Sequence, residues 1–397
     1  MDTREENLGQ SAQGSVQGAA RENLRIGVVG CGNISAIYMK NAGMFRRLEM
    51  SACADLRPEA AATRAAEFGL RAMTVDEIFD TPDIDLILNL SVPAAHHEVS
   101  MRAIRAGKHV FTEKPLCASA AEARELLDAA QAAGLCVGSA PDTFLGAAGR
   151  RARQLIDGGS LGQVITGTAF MLGRGMEHWH PNPAFYYQPG AGPVLDMGPY
   201  YLTMLTYLLG PVRAVSAATS FGAKTRTITA EGPLQNTSFE AGTPTTALSL
   251  LEFHSGPIVT FGASWDVHRH SNMPIELHGT EGSLRLPDPD NFGDVVALSP
   301  GGADWAEHSS EGTPFGTTNY PFDAPDRANY RALGLAEMAE ALAEGRTPRA
   351  GGALAYHVLE VLEGILLAGE RRARIEIASC PEQPALLGEV AAEGLLR

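Results

Sequence analysis

From Leu24 the chain alternates short apolar runs with amphipathic stretches of helical period. LRIGVVG (24–30) reads as a strand and ISAIYMKNAGM as a helix; EMSACAD (49–55) and RPEAAATRAAEF repeat the pair. IDLILNL (84–90) is continuously apolar, as a strand buried on both faces must be. AAHHEVSMRAIRAG then reads as a helix that ends at Gly107, and KHVFTE as the next strand. Ser119 with Glu122 three residues on is a capping-box pattern opening SAAEARELLDAAQAAG, and LCVGSA is a further strand. Strands alternating with helices in this way imply βαβ units and a parallel sheet.

After about residue 143 the grammar changes. One helix, FLGAAGRRARQLIDGG, is followed by QVITGTAFML, VRAVSAATSFGA, TTALSLLEFH, PIVTFGASWDV, PIELHGT and GSLRLP. Long strands with no helix between most of them predict an open, mostly antiparallel sheet. Two helices are expected near 327–344 and 353–368. The fold class expected is therefore α/β: an N-terminal Rossmann parallel sheet and a C-terminal α/β domain with an open, mostly antiparallel sheet. The boundaries expected are 1–23 as a disordered or accessory tail, 24–143 as the dinucleotide domain and 144–397 as the substrate-binding and oligomerisation domain.

The first strand runs into GVVGCGNIS, where Gly30 and Gly32 fill two places of G-x-G-x-x-G and Ser35 the third. Gly30 permits a tight turn, and Gly32 lets backbone N–H groups approach a pyrophosphate at a helix start. Asp55 closes the second strand 23 residues after Gly32, where a carboxylate accepts the ribose hydroxyls and repels a 2′-phosphate. That favours NAD over NADP, although Arg57 nearby could tolerate the phosphate. The net charge of −15 leaves no basic stripe for nucleic acid or an anionic membrane. No apolar run in the sequence suggests a bilayer span. Five scattered cysteines without C-x-x-C, several in apolar runs, lead us to expect a reducing, cytoplasmic compartment.

KHVFTEKPLC (108–117) delivers Glu113 and Lys114 to the carboxyl end of a strand that Pro115 stops. In open α/β sheets that edge is where ligands sit. A lysine in a partly dry cleft can have its pKa lowered toward working pH and relay a proton.

LSVPAAHHEVSMRAIRAGKHVFTEKPL resembles the core of the Gfo/Idh/MocA oxidoreductases, through Pro93, His96 and Glu98, the 107–110 GKHV, and Glu113-Lys114-Pro115. The resemblance extends over about residues 24–380. It implies NAD as cofactor, held by Gly30, Gly32, Asn33, Ile34, Asp55, Arg57, Ser91, Pro93, His96, Glu113 and Lys114, with Lys114 catalytic beside the nicotinamide. A second motif of that family, an Asp followed four residues later by a His, falls in GPVLDMGPYYLTMLTYLLG as Asp196 and Tyr200. Spacing of four places both on one helical face. Tyrosine in the histidine's place needs a lowered pKa to act as a base, and Lys114 would supply it. Caps and core aromatics account for the same pair without chemistry.

EHWHPNPAFYYQPGAG (177–192) precedes that helix. Trp179 offers a face on which a sugar stacks, while His178, His180 and Tyr186 offer hydrogen bonds. His180 is a further catalytic candidate, and Arg174 and Asp142 are substrate-binding candidates. His178-x-His180 lacks a third ligand at convincing spacing, so no metal is expected. The expected reaction is hydride transfer between NAD and a ring carbinol, commonly C3, of a sugar, glycoside or cyclitol. The alternative is redox-neutral, NAD-dependent glycoside hydrolysis by oxidation, elimination, water addition and reduction. The broad apolar sheet leads us to expect a homodimer or homotetramer through the C-terminal sheet.

Overall fold

In the computed structural model, residues 23–397 are described. The expectation for the N-terminal tail lies outside them, apart from Asn23. Six parallel strands form the first sheet: β1 (Leu24–Val29), β2 (Leu48–Ala54), β3 (Arg71–Met73), β4 (Leu86–Asn89), β5 (His109–Thr112) and β6 (Val137–Ser139). Their order is β3-β2-β1-β4-β5-β6. The order reverses between β1 and β4, so a crevice opens beyond the carboxyl ends of those two strands.

The helices packed on this sheet are α1 (Asn33–Ala42), α2 (Pro58–Phe68), α3 (Val75–Asp80), α4 (His96–Arg105) and α5 (Ala120–Ala132). β4 is buried throughout, which is why its run is apolar without alternation. At α5 the Ser119 hydroxyl accepts the Glu122 N–H at 3.2 Å, but the Glu122 carboxylate reaches back to the Ala118 N–H instead of Ser119. The reciprocal box forms at α3, between Thr74 and Glu77.

After α6 (Ala147–Asp157) the chain builds a nine-stranded sheet. Its strands are β7 (Val164–Leu172), β8 (Val212–Ser220), β11 (Thr246–Phe253), β12 (Ile258–Ser264), β13 (Ile275–Gly279), β14 (Gly282–Leu286), β15 (Val296–Pro300), β16 (Ala306–His308) and β17 (Ile375–Glu376), with a separate pair, β9 (Thr225–Thr227) and β10 (Ser238–Glu240). Pairing is antiparallel except between β7 and β12. α7 (Gly192–Leu209), α8 (Leu333–Glu344), α9 (Gly352–Arg371) and α10 (Glu389–Leu395) complete the fold.

α7 and α9 pack on each other and on the sheet, covering one of its faces. Among the described residues α9 alone is long and apolar enough to cross a bilayer, which corrects the reading that no such run exists. Here it is packed against β8, β17 and α7. On the sheet's other face Phe170, Leu248, Leu250 and Ile258 remain partly or largely exposed.

Candidate functional site

The glycine-rich turn lies at the β1/β4 switch point. Gly30 has φ +103°, and a Cβ there would lie 2.5 Å from the Leu90 backbone, so no other residue fits. Gly32 differs: a Cβ would meet nothing within 4 Å. Its freedom from side chain is unused by the protein itself and leaves open space beside the first turn of α1. The Ser35 hydroxyl donates to Gly32 O at 2.6 Å, closing the turn.

Asp55 receives the Cys31 N–H on Oδ2 at 2.8 Å and the Arg57 N–H on Oδ1 at 2.9 Å. One bond to each oxygen orients the carboxylate and leaves further lone pairs for ribose hydroxyls. The Arg57 side chain is largely exposed, 3.7 Å from Asp55. Asn33 and Ile34 begin α1 at this turn. Gly30, Gly32 and Asp55 thus fit a dinucleotide.

Ser91 and Pro93 follow β4, on the opposite wall of the crevice. Asn89 orders that wall: its Oδ1 accepts the Ser91 hydroxyl at 2.6 Å, and its Nδ2 donates to His96 O and the Ser100 hydroxyl, both at 3.0 Å.

His96 and Glu113, expected at the cofactor, have other partners. His96 is 1% exposed, with Nδ1 2.7 Å from Pro115 O and Nε2 3.0 Å from Ser91 O. Burial holds its pKa below the usual histidine value against the pull of both carbonyls. It braces the turn after β5 against the turn after β4. Glu113 accepts the Tyr38 hydroxyl at 2.8 Å and the Lys114 N–H at 2.9 Å, which ties the same turn to α1.

This bracing aims Lys114 across to α7. Its Nζ donates to Asp196 O at 2.6 Å and to Asp196 Oδ1 at 3.0 Å, and sits 5.2 Å from the centroid of the Tyr200 ring. α7 begins at Gly192, so Asp196 lies in its second turn and is not a cap. Sequence reasoning expected a lowered lysine pKa, and the structure corrects this. Burial alone lowers it, but Asp196, Tyr200 and Glu113 together outweigh that, and Lys114 titrates above an ordinary lysine.

The expectation of a Tyr200 phenolate is corrected likewise. Burial raises the Tyr200 pKa and Asp290 adds to it, while Lys114 and Arg331 offset only part. Both side chains therefore rest protonated.

Arg331, which the sequence did not single out, completes the group. It donates to Asp290 Oδ1 at 2.6 Å and reaches the Tyr200 hydroxyl at 3.4 Å. No motif marks it: it precedes Ala332, whose left-handed φ of 87° turns the chain into α8.

Asp142 is also relocated. It is buried and accepts the Gly334 N–H at 2.8 Å, serving the start of α8 and not an open substrate surface.

The aromatic loop divides in two. Tyr186 lies close enough to Asp196 and Lys114 to feel both charges, after burial the main influences on its raised pKa. Trp179, His180 and Phe185 surround it, with ring centroids 5.3 Å apart for Trp179 and His180 and 5.5 Å for His180 and Tyr186. His180 Nδ1 accepts the Asn182 N–H at 3.1 Å, and no contact joins it to Lys114.

Arg174 does not join this group either. It lines a separate cleft of about 780 Å³ with Glu177, His178, Arg226 and Asp266, walled by Trp265, which packs on Tyr186. Arg226 is buried there between Glu177 and Asp266.

Comparisons with known proteins place the chain in a family. Residues 24–140 match the family described as "Oxidoreductase family, NAD-binding Rossmann fold", and residues 150–285 the GFO/IDH/MocA C-terminal domain. The chain is 32% identical over 270 residues to dTDP-3,4-didehydro-2,6-dideoxy-alpha-D-glucose 3-reductase of Streptomyces violaceoruber, covering 66% of this chain and 72% of that protein. It is 28% identical over 267 residues to 1,5-anhydro-D-fructose reductase of Ensifer adhaerens, covering 66% and 74%. The structure of levoglucosan dehydrogenase in complex with NADH superposes with a TM-score of 0.76 at 22% identity, over 90% of this chain and all of that one. Matched in both halves of its length, the chain belongs to the Gfo/Idh/MocA family of oxidoreductases, with that family's NAD-binding Rossmann fold.

Proposed function

We propose that this protein transfers hydride between NAD and a ring carbinol, commonly C3, of a sugar, glycoside or cyclitol. The observation that carries this reading is the Lys114–Asp196 contact. It brings a cation from the carboxyl edge of the parallel sheet onto a carboxylate of α7, with Tyr200 one turn further on. The names of the two sugar-acting relatives support the substrate class. Asp55 supports NAD over NADP, because a 2′-phosphate would meet its carboxylate.

When bound, the nicotinamide accepts or returns the hydride. The chain's own residues hold the carbinol and move its proton. Charged Lys114 donates to the carbinol oxygen and stabilises negative charge developing there. In oxidation, Lys114 takes the hydroxyl proton as it passes one of its own to solvent, so the ammonium charge is retained. In reduction Lys114 gives one of its own protons to the oxygen and regains one from solvent, so Asp196 stays a carboxylate that holds the ammonium in place. Tyr200, kept protonated, is a second donor to that oxygen, and Arg331 fixes its hydroxyl. Tyr186 and Trp179 supply apolar faces for the ring.

The test is to supply NAD with a panel of pyranosides and cyclitols and follow both NADH and released aglycone. Net NADH, one per ketone formed, is the expected result. Aglycone release with catalytic NAD and no net NADH would replace dehydrogenation by glycoside hydrolysis.

A further inference from the structure

Among the described residues two arginines are buried, and the fold treats them differently. Arg226, 7% exposed, lies between the carboxylates of Glu177 and Asp266. Arg150, 4% exposed, has no carboxylate partner among the described residues. Its Nη2 donates to Pro314 O, and its Nε is buried with no partner at all. A guanidinium buried without counter-charge is strongly unfavourable, and the fold pairs the neighbouring Arg153 with Asp157 at 2.8 Å.

Arg150 lines a cavity of about 350 Å³ between α6, the 309–313 turn and the start of α10. The other groups facing it are mostly donors. Arg151 has no ion pair among the described residues, and Gln154 is one helical turn beyond Arg150, on the same face. The Ser310 hydroxyl accepts the Asp294 N–H at 2.6 Å and the Ser309 hydroxyl accepts the Glu311 N–H at 3.2 Å. Both hydroxyls are used there as acceptors, so each keeps its own proton to give. Among the described residues the acid lining the cavity is Glu389, exposed at the first position of α10, and Glu393, one turn further on, also acts on Arg150 from outside the lining.

We propose that this cavity is a binding site for a phosphate group, held by Arg150 and Arg151 with Gln154, Ser309 and Ser310 completing the donors. Guanidinium donors suit the several oxygens of a tetrahedral anion, and a dianion supplies the charge that Arg150 lacks. None of these residues belongs to the Lys114 group or to the glycine-rich turn, so the site is separate from the reaction proposed above. The phosphate could be inorganic or borne on a small metabolite.

Calorimetric titration of the full chain, saturated with NAD to occupy the glycine-rich turn, tests this with inorganic phosphate and with glucose 6-phosphate at fixed ionic strength. Saturable binding at one site per chain is expected, absent with chloride. Tighter binding of glucose 6-phosphate identifies a monoester site, and tighter binding of inorganic phosphate a site for the free ion. Arg150→Met and Arg151→Ala should each weaken binding at least tenfold. Glu389→Gln, which removes the opposing charge, should tighten it several-fold. Arg151 and Glu389 are exposed, so these two variants decide the matter even if Arg150→Met fails to fold. No saturable heat, or binding indifferent to both exposed-site variants, overturns the proposal.

Discussion

Lys114 was legible as a site residue because three local signals converge on it: an apolar strand, a carboxyl-end position and a proline stop. Its protonation state was not legible, because after burial the groups that set it most, Asp196 and Tyr200, come from α7, distant in sequence. The same holds for Tyr200, whose neighbour Asp290 carries no motif. With both groups titrating above their ordinary values, the donors remain protonated at and around neutral pH. The reductive turnover number should therefore show no loss from these groups between about pH 6 and pH 9, below the ordinary tyrosine and lysine pKa values. A pH–rate profile falling through that range would contradict it. Lys114→Ala should lower the turnover number about 10²–10⁴-fold and Tyr200→Phe about 10²-fold, the worth of a positioned acid or base. Because both act on one oxygen, the double variant should be scarcely slower than Lys114→Ala, and losses that multiply would separate them.

At the scale of elements, periodicity located β1, β2, β4, β5, β7, β8 and β11 to β14 to within a few residues. It passed over β3 and α3, although Thr74 and Glu77 carry the capping-box spacing in TVDE. β15, β16 and β17 are short and weakly patterned and gave no signal.

The two glycines of the turn do different jobs, and substitution separates them. Gly32→Ala should leave thermal stability nearly unchanged, since its Cβ enters open space, while weakening NAD at least tenfold, about 1.4 kcal/mol. Gly30→Ala should lower stability itself, because the Cβ would strike the Leu90 backbone at a positive φ. Equal NAD affinity in Gly32→Ala, measured by titration, would mean the pyrophosphate lies elsewhere.

Asp142, at the start of α8, gives a pH prediction. Burial pushes its carboxyl up to about 6, although the Gly334 N–H and Arg331 pull the other way. The folded state then holds this proton more tightly than the unfolded chain does. Its stability contribution is full below about pH 4 and is lost as pH rises through about 6. Asp142→Asn keeps an oxygen for Gly334 and removes the titration. It should flatten that segment of the unfolding curve and gain up to about 3 kcal/mol at neutral pH. An unchanged slope between the two pH values, measured by denaturant unfolding, would refute it.

At the scale of the molecule, both sheets and their order along the chain were expected, and the bracing between them was not. Asp142 of the first half supports Gly334 of the second, and Asn41 Nδ2 donates to Asn329 O and Arg331 O. Such contacts join groups nearly 200 or more residues apart, which local patterning cannot reveal. The open face of the second sheet keeps Leu248 51% and Leu250 48% exposed, and Gly262 between β7 and β11 lets Phe170 and Leu248 close over it. We propose that a second copy of the chain covers this face. Light scattering should find dimers or tetramers of the 42.0 kDa chain, and Leu248→Asp with Leu250→Asp should release single chains. Wild-type particles of one chain would rule the pairing out.

We propose that hydride passes at the Lys114, Asp196 and Tyr200 group. A structure of the chain with NAD and a bound sugar tests it most directly. The prediction places one ring hydroxyl about 3 Å from Lys114 Nζ, with its carbon facing the nicotinamide. A sugar held instead against Arg226 and Asp266, behind Trp265, with no contact to Lys114 or Asp196, would contradict it.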